Sequence, residues 1–195
     1  MARSPLSPLG VAVLALLMEA PMHPYEMYQL LIARHEDRLV KVRPGTLYHA
    51  VGRLETDGLL EATGTGRDGR RPERTTYKIT DAGRAALSER LAGMLSDAVN
   101  EYPVFPHAIA EAHNLPAGVV LELLDARLAA LEERLAVLST GREAVIAKGV
   151  ERRYWVDVEY RQAMLRCEID WIRGFQAELR SGELPWQPPA GTSTD

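Results

Sequence analysis

The segment PGTLYHAVGRLETDG, residues 44 to 58, limits the fold more than any other stretch of the chain. Proline is at home in the first turn of a helix, and glycine is favoured just past its end, so Pro44 and Gly58 mark a helix of about 44–57. Leu47, Val51 and Leu54 recur at helical spacing and make one narrow apolar stripe. The other side carries Thr46, His49, Arg53 and Thr56, with no acid among them. A helix this short and narrowly apolar needs a small domain to dock on, and it leaves a polar, partly cationic face turned outward.

What surrounds the segment narrows the choice. Pro8 precedes the apolar run LGVAVLALLM and Pro21 stops it, predicting a helix over about 8–20. HPYEMYQLLIARH follows, with Pro24 in a first-turn position and Met27, Leu30 and Leu31 at helical spacing, predicting a helix over about 24–35. After the third helix, residues 59–63 and 75–80 read as short strands. Gly64, Gly66, Gly69 and Pro72 lie between them among Arg67, Arg70, Arg71 and Arg74, which describes a hairpin with a basic, glycine-rich tip. A fourth helix over about 81–99, capped by Asp81, completes a unit of residues 1–99.

Three helices and a two-stranded hairpin within some 80 residues describe a winged helix-turn-helix. In that architecture the third helix enters the DNA major groove and the hairpin reaches the backbone. Charge agrees. The chain carries a formal net charge of −4, yet residues 38–78 hold nine basic side chains against five acidic ones, and the chain beyond Gly83 is acidic on balance. Such asymmetry suits a polyanion at the first half only. Arginine pairs with guanine through two hydrogen bonds, and threonine and histidine bond to bases or phosphates. The wing arginines supply phosphate neutralisation, which carries affinity rather than sequence choice.

Residues 100–182 read as a second, helical domain. Pro103, Pro106 and Pro116 allow one short helix near 107–113. Leu121, Leu124, Leu128, Leu131, Leu135 and Leu138 then alternate spacings of three and four, the a/d pattern of a coiled coil, up to an expected break near Gly141. A long helix is expected over about 146–181. Val158, Leu165, Ile172 and Leu179 repeat in it every seventh position, and Trp155, Ile169, Trp171 and Phe175 widen the stripe. Two such helices expose more apolar surface than one chain is expected to cover, so a partner is implied. Residues 183–195, ELPWQPPAGTSTD, have the composition of a disordered tail.

Several motifs tie the first unit to a known family. HPYEMYQLL, with Tyr25 and Glu26, RPGTLYHAVGRLETDGLLE, with Gly45, Thr46, Leu47, Tyr48, Leu54 and Gly58, and TTYKITDAGRAAL, with Tyr77, Thr80, Gly83 and Leu87, resemble the second helix, the recognition helix and the strand-to-helix signature of the PadR family of transcriptional regulators. The likeness covers about residues 9–95. The helical half resembles the longer members of that family. It implies a mainly α fold, an N-terminal winged helix-turn-helix with a C-terminal helical dimerisation domain. It also implies a homodimer on a double-stranded, pseudo-palindromic operator, with Tyr25, Arg43, Thr46, Tyr48, His49, Arg53 and the wing arginines at the DNA. In small family members aromatic ligands bind at the dimer interface beside tryptophan, which puts Trp155, Val158, Leu165, Trp171, Ile172 and Phe175 at an effector or dimer interface. Packing alone is the other reading of both tryptophans. Two positions depart from the family pattern. Arg43 stands where a small polar cap is usual, so Thr46 or water must satisfy the helix start. His49 stands where proline is common.

Other chemistries find little footing. His107 and His113, six apart, are not a helical metal clip, and no metal or cofactor is expected. There is no phosphate loop, nucleophile elbow or dinucleotide fingerprint, so an enzyme is not expected. The one cysteine, Cys167, reads as a buried small hydrophobe. The apolar run 9–18 is too short to span a bilayer and has no signal-peptide frame, so a cytoplasmic protein without a membrane partner is expected.

Overall fold

The computed structural model describes residues 5–66 and 74–186. The chain divides into two compact units, residues 1–99 and 100–195. In the first, helices α1 (Pro8–Glu19), α2 (Pro24–Ala33) and α3 (Pro44–Thr56) precede strands β1 (Leu60–Gly66) and β2 (Arg74–Ile79), and α4 (Asp81–Ser96) follows. Each helix starts for a local reason. The Ser7 hydroxyl accepts from the Gly10 amide at 3.1 Å. At α2 the His23 ring nitrogen Nδ1 accepts from the Tyr25 amide, while the Glu26 carboxylate accepts from the His23 amide, a reciprocal cap. This gives Glu26 a structural task. At α4 the cap is Thr80, one residue before the expected Asp81. Thr80 is extended, its Oγ1 accepts from the Gly83 amide at 3.0 Å, and the same hydroxyl donates to the Gly58 carbonyl.

The core of this unit gathers Val13, Leu14, Leu16 and Leu17 of α1, Met27 and Leu31 of α2, Leu47, Val51 and Leu54 of α3, and Leu59, Leu60, Ile79 and Leu87. The strands pair antiparallel, Leu60 with Ile79 and Ala62 with Tyr77, and a bulge shifts the register between Ala62 and Gly64. Met22, in the link between α1 and α2, exchanges two backbone hydrogen bonds of 3.0 Å with Tyr77, which fastens the wing to the helices. Two glycines are required by geometry. Gly58 turns out of α3 with φ 69°, a left-handed conformation that disfavours side chains. Gly83 lies so close to the residue that precedes β1 that an added Cβ would sit 2.0 Å from the Leu59 carbonyl oxygen.

The second unit contains α5 (Val104–Glu111), α6 (Ala117–Ala147) and α7 (Val156–Ser181). α6 runs straight through Gly141, where a break was expected. The chain turns instead at Gly149, which adopts φ 69°, and a 3-10 turn at 152–154 leads into α7. Glycine in the middle of a helix weakens it without ending it, whereas a left-handed residue ends it. α6 and α7 form an antiparallel pair. Leu124, Leu128, Leu131 and Leu138 bury themselves against Leu165, Ile169, Ile172 and Leu179, with Leu121 and Leu135 partly covered. The leucine heptad therefore finds its cover in its own chain, against α7. Buried Gln162 donates to Ser139 Oγ at 3.0 Å, and buried Gln176 donates to Asp125 at 2.8 Å, so polar side chains at the seam are satisfied. Residues 183–186 do not behave as a loose tail. The Trp186 indole N–H donates to the Leu115 carbonyl at 2.8 Å, and its ring meets Phe175. Residues 187–195 lie outside the described residues.

Two glycine substitutions separate these roles. Gly83→Ala is expected to lower stability by about 2–3 kcal/mol through backbone collision. Gly52→Ala, whose Cβ would meet nothing, is expected to raise it by up to about 1 kcal/mol through helix propensity. Thermal denaturation of the two variants measures both effects.

Candidate nucleic-acid interface

The outward face of α3 follows from its inward one. With Leu47, Val51 and Leu54 buried, Thr46, Tyr48, His49, Gly52, Arg53 and Thr56 are exposed. Tyr25, in the first turn of α2, is also half-exposed. The first turn of α3 contains no acidic side chain, so its free N–H groups present an uncompensated positive pole. Arg43 occupies the cap position in an extended conformation. A guanidinium has no acceptor to offer the helix start. Thr46 compensates as expected: its hydroxyl accepts from the Arg43 amide at 3.2 Å and donates to the Arg43 carbonyl at 2.9 Å. Thr46 thereby fixes the start of the helix, and its hydroxyl is partly engaged before any base arrives. The Thr56 hydroxyl is likewise engaged, donating to the Gly52 carbonyl at 2.9 Å.

His49, Gly52, Arg53 and Thr56 do not stand on a convex ridge. With Ala86, Glu89, Arg90 and Gly93 of α4 and with Pro5 and Leu6 they line an open recess of about 910 Å³. The Arg90 Nε–H donates to the Leu6 carbonyl at 3.1 Å and ties the N-terminal segment along it. Sequence spacing alone gave no sign of this wall, because α4 is some forty residues away from α3 in the chain.

The wing base is anchored to the same helix. The Tyr77 hydroxyl donates to Glu55 at 3.4 Å. Burial first, and then the Glu55 carboxylate, push the Tyr77 phenol above its ordinary range, so it remains a donor. Lys78, counted among the local cations, is paired with Glu61 at 2.9 Å across the strands. Arg74 opens β2. Arg67, Arg70 and Arg71 lie outside the described residues.

The residues expected at an effector or dimer interface separate into two sets. Leu165 and Ile172 belong to the α6–α7 core, and Val158 packs against it. Trp155 is also buried, in the turn before α7 and not on a helix stripe. Its indole N–H donates to the Val150 carbonyl at 3.0 Å, and the Arg142 guanidinium lies over its ring. These four serve the chain's own packing. Trp171 differs, being 48% exposed. It stacks on Phe175 at 5.3 Å between ring centroids and meets Phe105 edge-on at 6.4 Å, while the Arg127 guanidinium sits 3.6 Å above the Phe105 ring. Phe105 and Trp186 were missed as members of this cluster. A tryptophan set among prolines in a polar tail was the available signal for Trp186. Cys167, expected to be buried, is exposed.

Three helices, the third with its polar face outward, and an antiparallel hairpin define a winged helix-turn-helix unit of the kind found in DNA-binding regulators. Residues 13–89 match the model of the Transcriptional regulator PadR-like family. The N-terminal unit thus belongs to the PadR-like family of transcriptional regulators. Transcriptional regulator Rv3488 of Mycobacterium tuberculosis is 50% identical over 58 residues, a stretch that covers 30% of this chain and half the length of that protein. The fold extends beyond the matched domain. Bacillus subtilis PadR in complex with operator DNA superposes with a TM-score of 0.75 at 16% identity, covering 89% of this chain and 99% of that one. The PadR-like regulator BC1756 of Bacillus cereus gives 0.61 at 18% identity, over 92% and 99% of the two chains. B. subtilis PadR in complex with p-coumaric acid gives 0.68 at 15% identity, over the same shares. Among the described residues no helix is long and apolar enough to cross a membrane.

The role of Thr46 can be separated from that of its neighbours. Thr46→Val is expected to lower unfolding free energy by about 1 kcal/mol through loss of the cap, Thr46→Ser to restore most of it, and Arg53→Ala to change it by less than about 0.5 kcal/mol. Chemical denaturation measures all three.

Proposed function

We propose that this PadR-like regulator is a homodimeric repressor that binds a pseudo-palindromic DNA operator and is released from it by a small aromatic ligand. In this reading residues 1–99 read DNA and residues 100–182 dimerise and take the effector. The observation that carries the reading is the α3 face: a helix held by three buried residues, with Tyr48, His49 and Arg53 exposed and a positive pole at its start. Arg53 suits a guanine edge, and Tyr25, Arg43 and the wing arginines suit phosphates. Two copies related by a two-fold axis present two such helices, which matches half-sites about one turn of duplex apart. The operator complex and the p-coumaric acid complex of B. subtilis PadR, a protein of the same fold, support both halves of the proposal. For the effector, the half-exposed Trp171 beside Phe175 and Phe105 offers an aromatic stacking surface. A ligand seated there acts by preferring one spacing of the two DNA-reading units. A few kcal/mol of preference is enough to switch occupancy.

The competing reading makes the winged unit a scaffold for protein contacts, and salt dependence separates the two. Binding of the full chain to its own promoter, followed by fluorescence anisotropy at several salt concentrations, is expected to be steep in salt. Arg70→Ala with Arg71→Ala is expected to weaken all sequences alike and reduce the salt slope by about two. Arg53→Ala is expected to cost about 1–3 kcal/mol at the operator and to relax discrimination at one base pair. Absence of promoter binding at low salt would leave the scaffold reading standing. A promoter–reporter assay distinguishes repression from activation.

A further inference from the structure

The segment that follows α7 returns a tryptophan to its own unit. Gly182 leaves the helix with φ 76°, and the Leu184 amide reaches back to the Glu178 carbonyl at 3.3 Å. Pro185 then restricts the backbone, so placing the next residue costs less conformational freedom. That residue is Trp186. Its indole N–H donates to the Leu115 carbonyl, 71 residues earlier in the chain, and its ring lies edge-on to Phe175 with centroids 5.7 Å apart. Residues 182–186 thus form a strap that joins the end of α7 to the turn ahead of α6.

The seat under Trp186 is built without it. Phe175 stacks on Trp171, Trp171 meets Phe105, and the Arg127 guanidinium lies over Phe105, so the ring is held from the side away from the strap. Leu115 is extended, and the backbone bonds of α6 begin at the Pro116 carbonyl, which leaves the Leu115 carbonyl outside the helix ladder. A fixed aromatic ring beside such an acceptor suits a flat molecule that carries a hydrogen-bond donor. The strap supplies its own indole as the occupant. One hydrogen bond and one ring pair each contribute modestly, so that occupant is exchangeable. Its short tether holds it at an effective concentration on the order of millimolar, which a free ligand must overcome.

We propose that the seat between Phe175 and the Leu115 carbonyl binds a planar aromatic molecule with an N–H or O–H donor, and that Trp186 is its built-in competitor. This deepens the effector reading above and rests on it only for the consequence at DNA. It adds the donor that the ligand must carry and the segment that the ligand must displace. A strap closed about nine-tenths of the time lowers the apparent affinity of such a ligand about ten-fold.

The test titrates the full-length chain into 5-fluoroindole and follows the broadening of the fluorine resonance. Trp186→Ala should bind the probe about ten-fold or more tightly than the wild type, with helical circular dichroism retained. 5-Fluoro-1-methylindole, which lacks the donor, should bind that variant about five-fold more weakly, as expected for one lost hydrogen bond. Adding Phe175→Leu should abolish binding. Equal affinity in the wild type and Trp186→Ala, or binding by neither, overturns the proposal. So does a methylated probe that binds as well as its parent. Tight binding by Trp186→Ala that leaves promoter affinity unchanged overturns the effector reading and leaves the strap and its seat standing.

Discussion

The docking of α3 through Leu47, Val51 and Leu54 is the constraint on which the N-terminal unit depends. These three side chains are buried among residues of α1, α2 and the hairpin, and their spacing leaves the helix little freedom to rotate about its own axis. Rotation by one residue would carry a leucine into water and a polar side chain into the core, each at a cost of kilocalories per mole. The outward placement of Tyr48, His49 and Arg53 is thus a consequence of burial on the opposite side. The wing is subject to the same constraint at one remove. It is held to α3 through Tyr77 and Glu55, to the α1–α2 link through Met22, and to the start of α4 through the close passage of Gly83.

The second unit obeys a similar logic with a different result. Its long helices bury their leucine seam against one another, and the glutamines in that seam each find an acceptor. What is left over on α7 is a second row, centred on Met164 and Cys167, with no cover from α6. Apolar surface that a chain has already been able to bury explains stability. Apolar surface that remains in register after the fold is complete calls for a different explanation.

Much of this was legible from local signals. Prolines and a glycine located three helices to within two residues, and the spacing of Leu47, Val51 and Leu54 identified the buried face. The conflict at Arg43 and its resolution by Thr46 followed from the fact that a guanidinium cannot accept a hydrogen bond. Errors arose where a local signal was ambiguous between neighbours. Gly141 and Gly149 look alike in sequence, but only Gly149 adopts the left-handed conformation that ends a helix. For the heptad leucines, a/d spacing records that a helix must be covered and is silent about whether its cover belongs to the same chain. Cys167 lies one helical turn or less from buried Leu165 and Ile169 yet points the other way.

The amino-acid sequence by itself determined the order of elements, the inward face of α3 and the cation-rich character of the first half. Those properties depend on residues close together in the chain, through hydrogen bonds of a turn or two and the periodicity of burial. Only the tertiary structure decided that His49 and Arg53 face a recess walled by α4, that Trp186 closes on Leu115 and Phe175, and which of two apolar rows on α7 is already satisfied. Each of these depends on surfaces distant in sequence meeting at a particular angle, and periodicity says which face a helix must cover without saying what will lie against it.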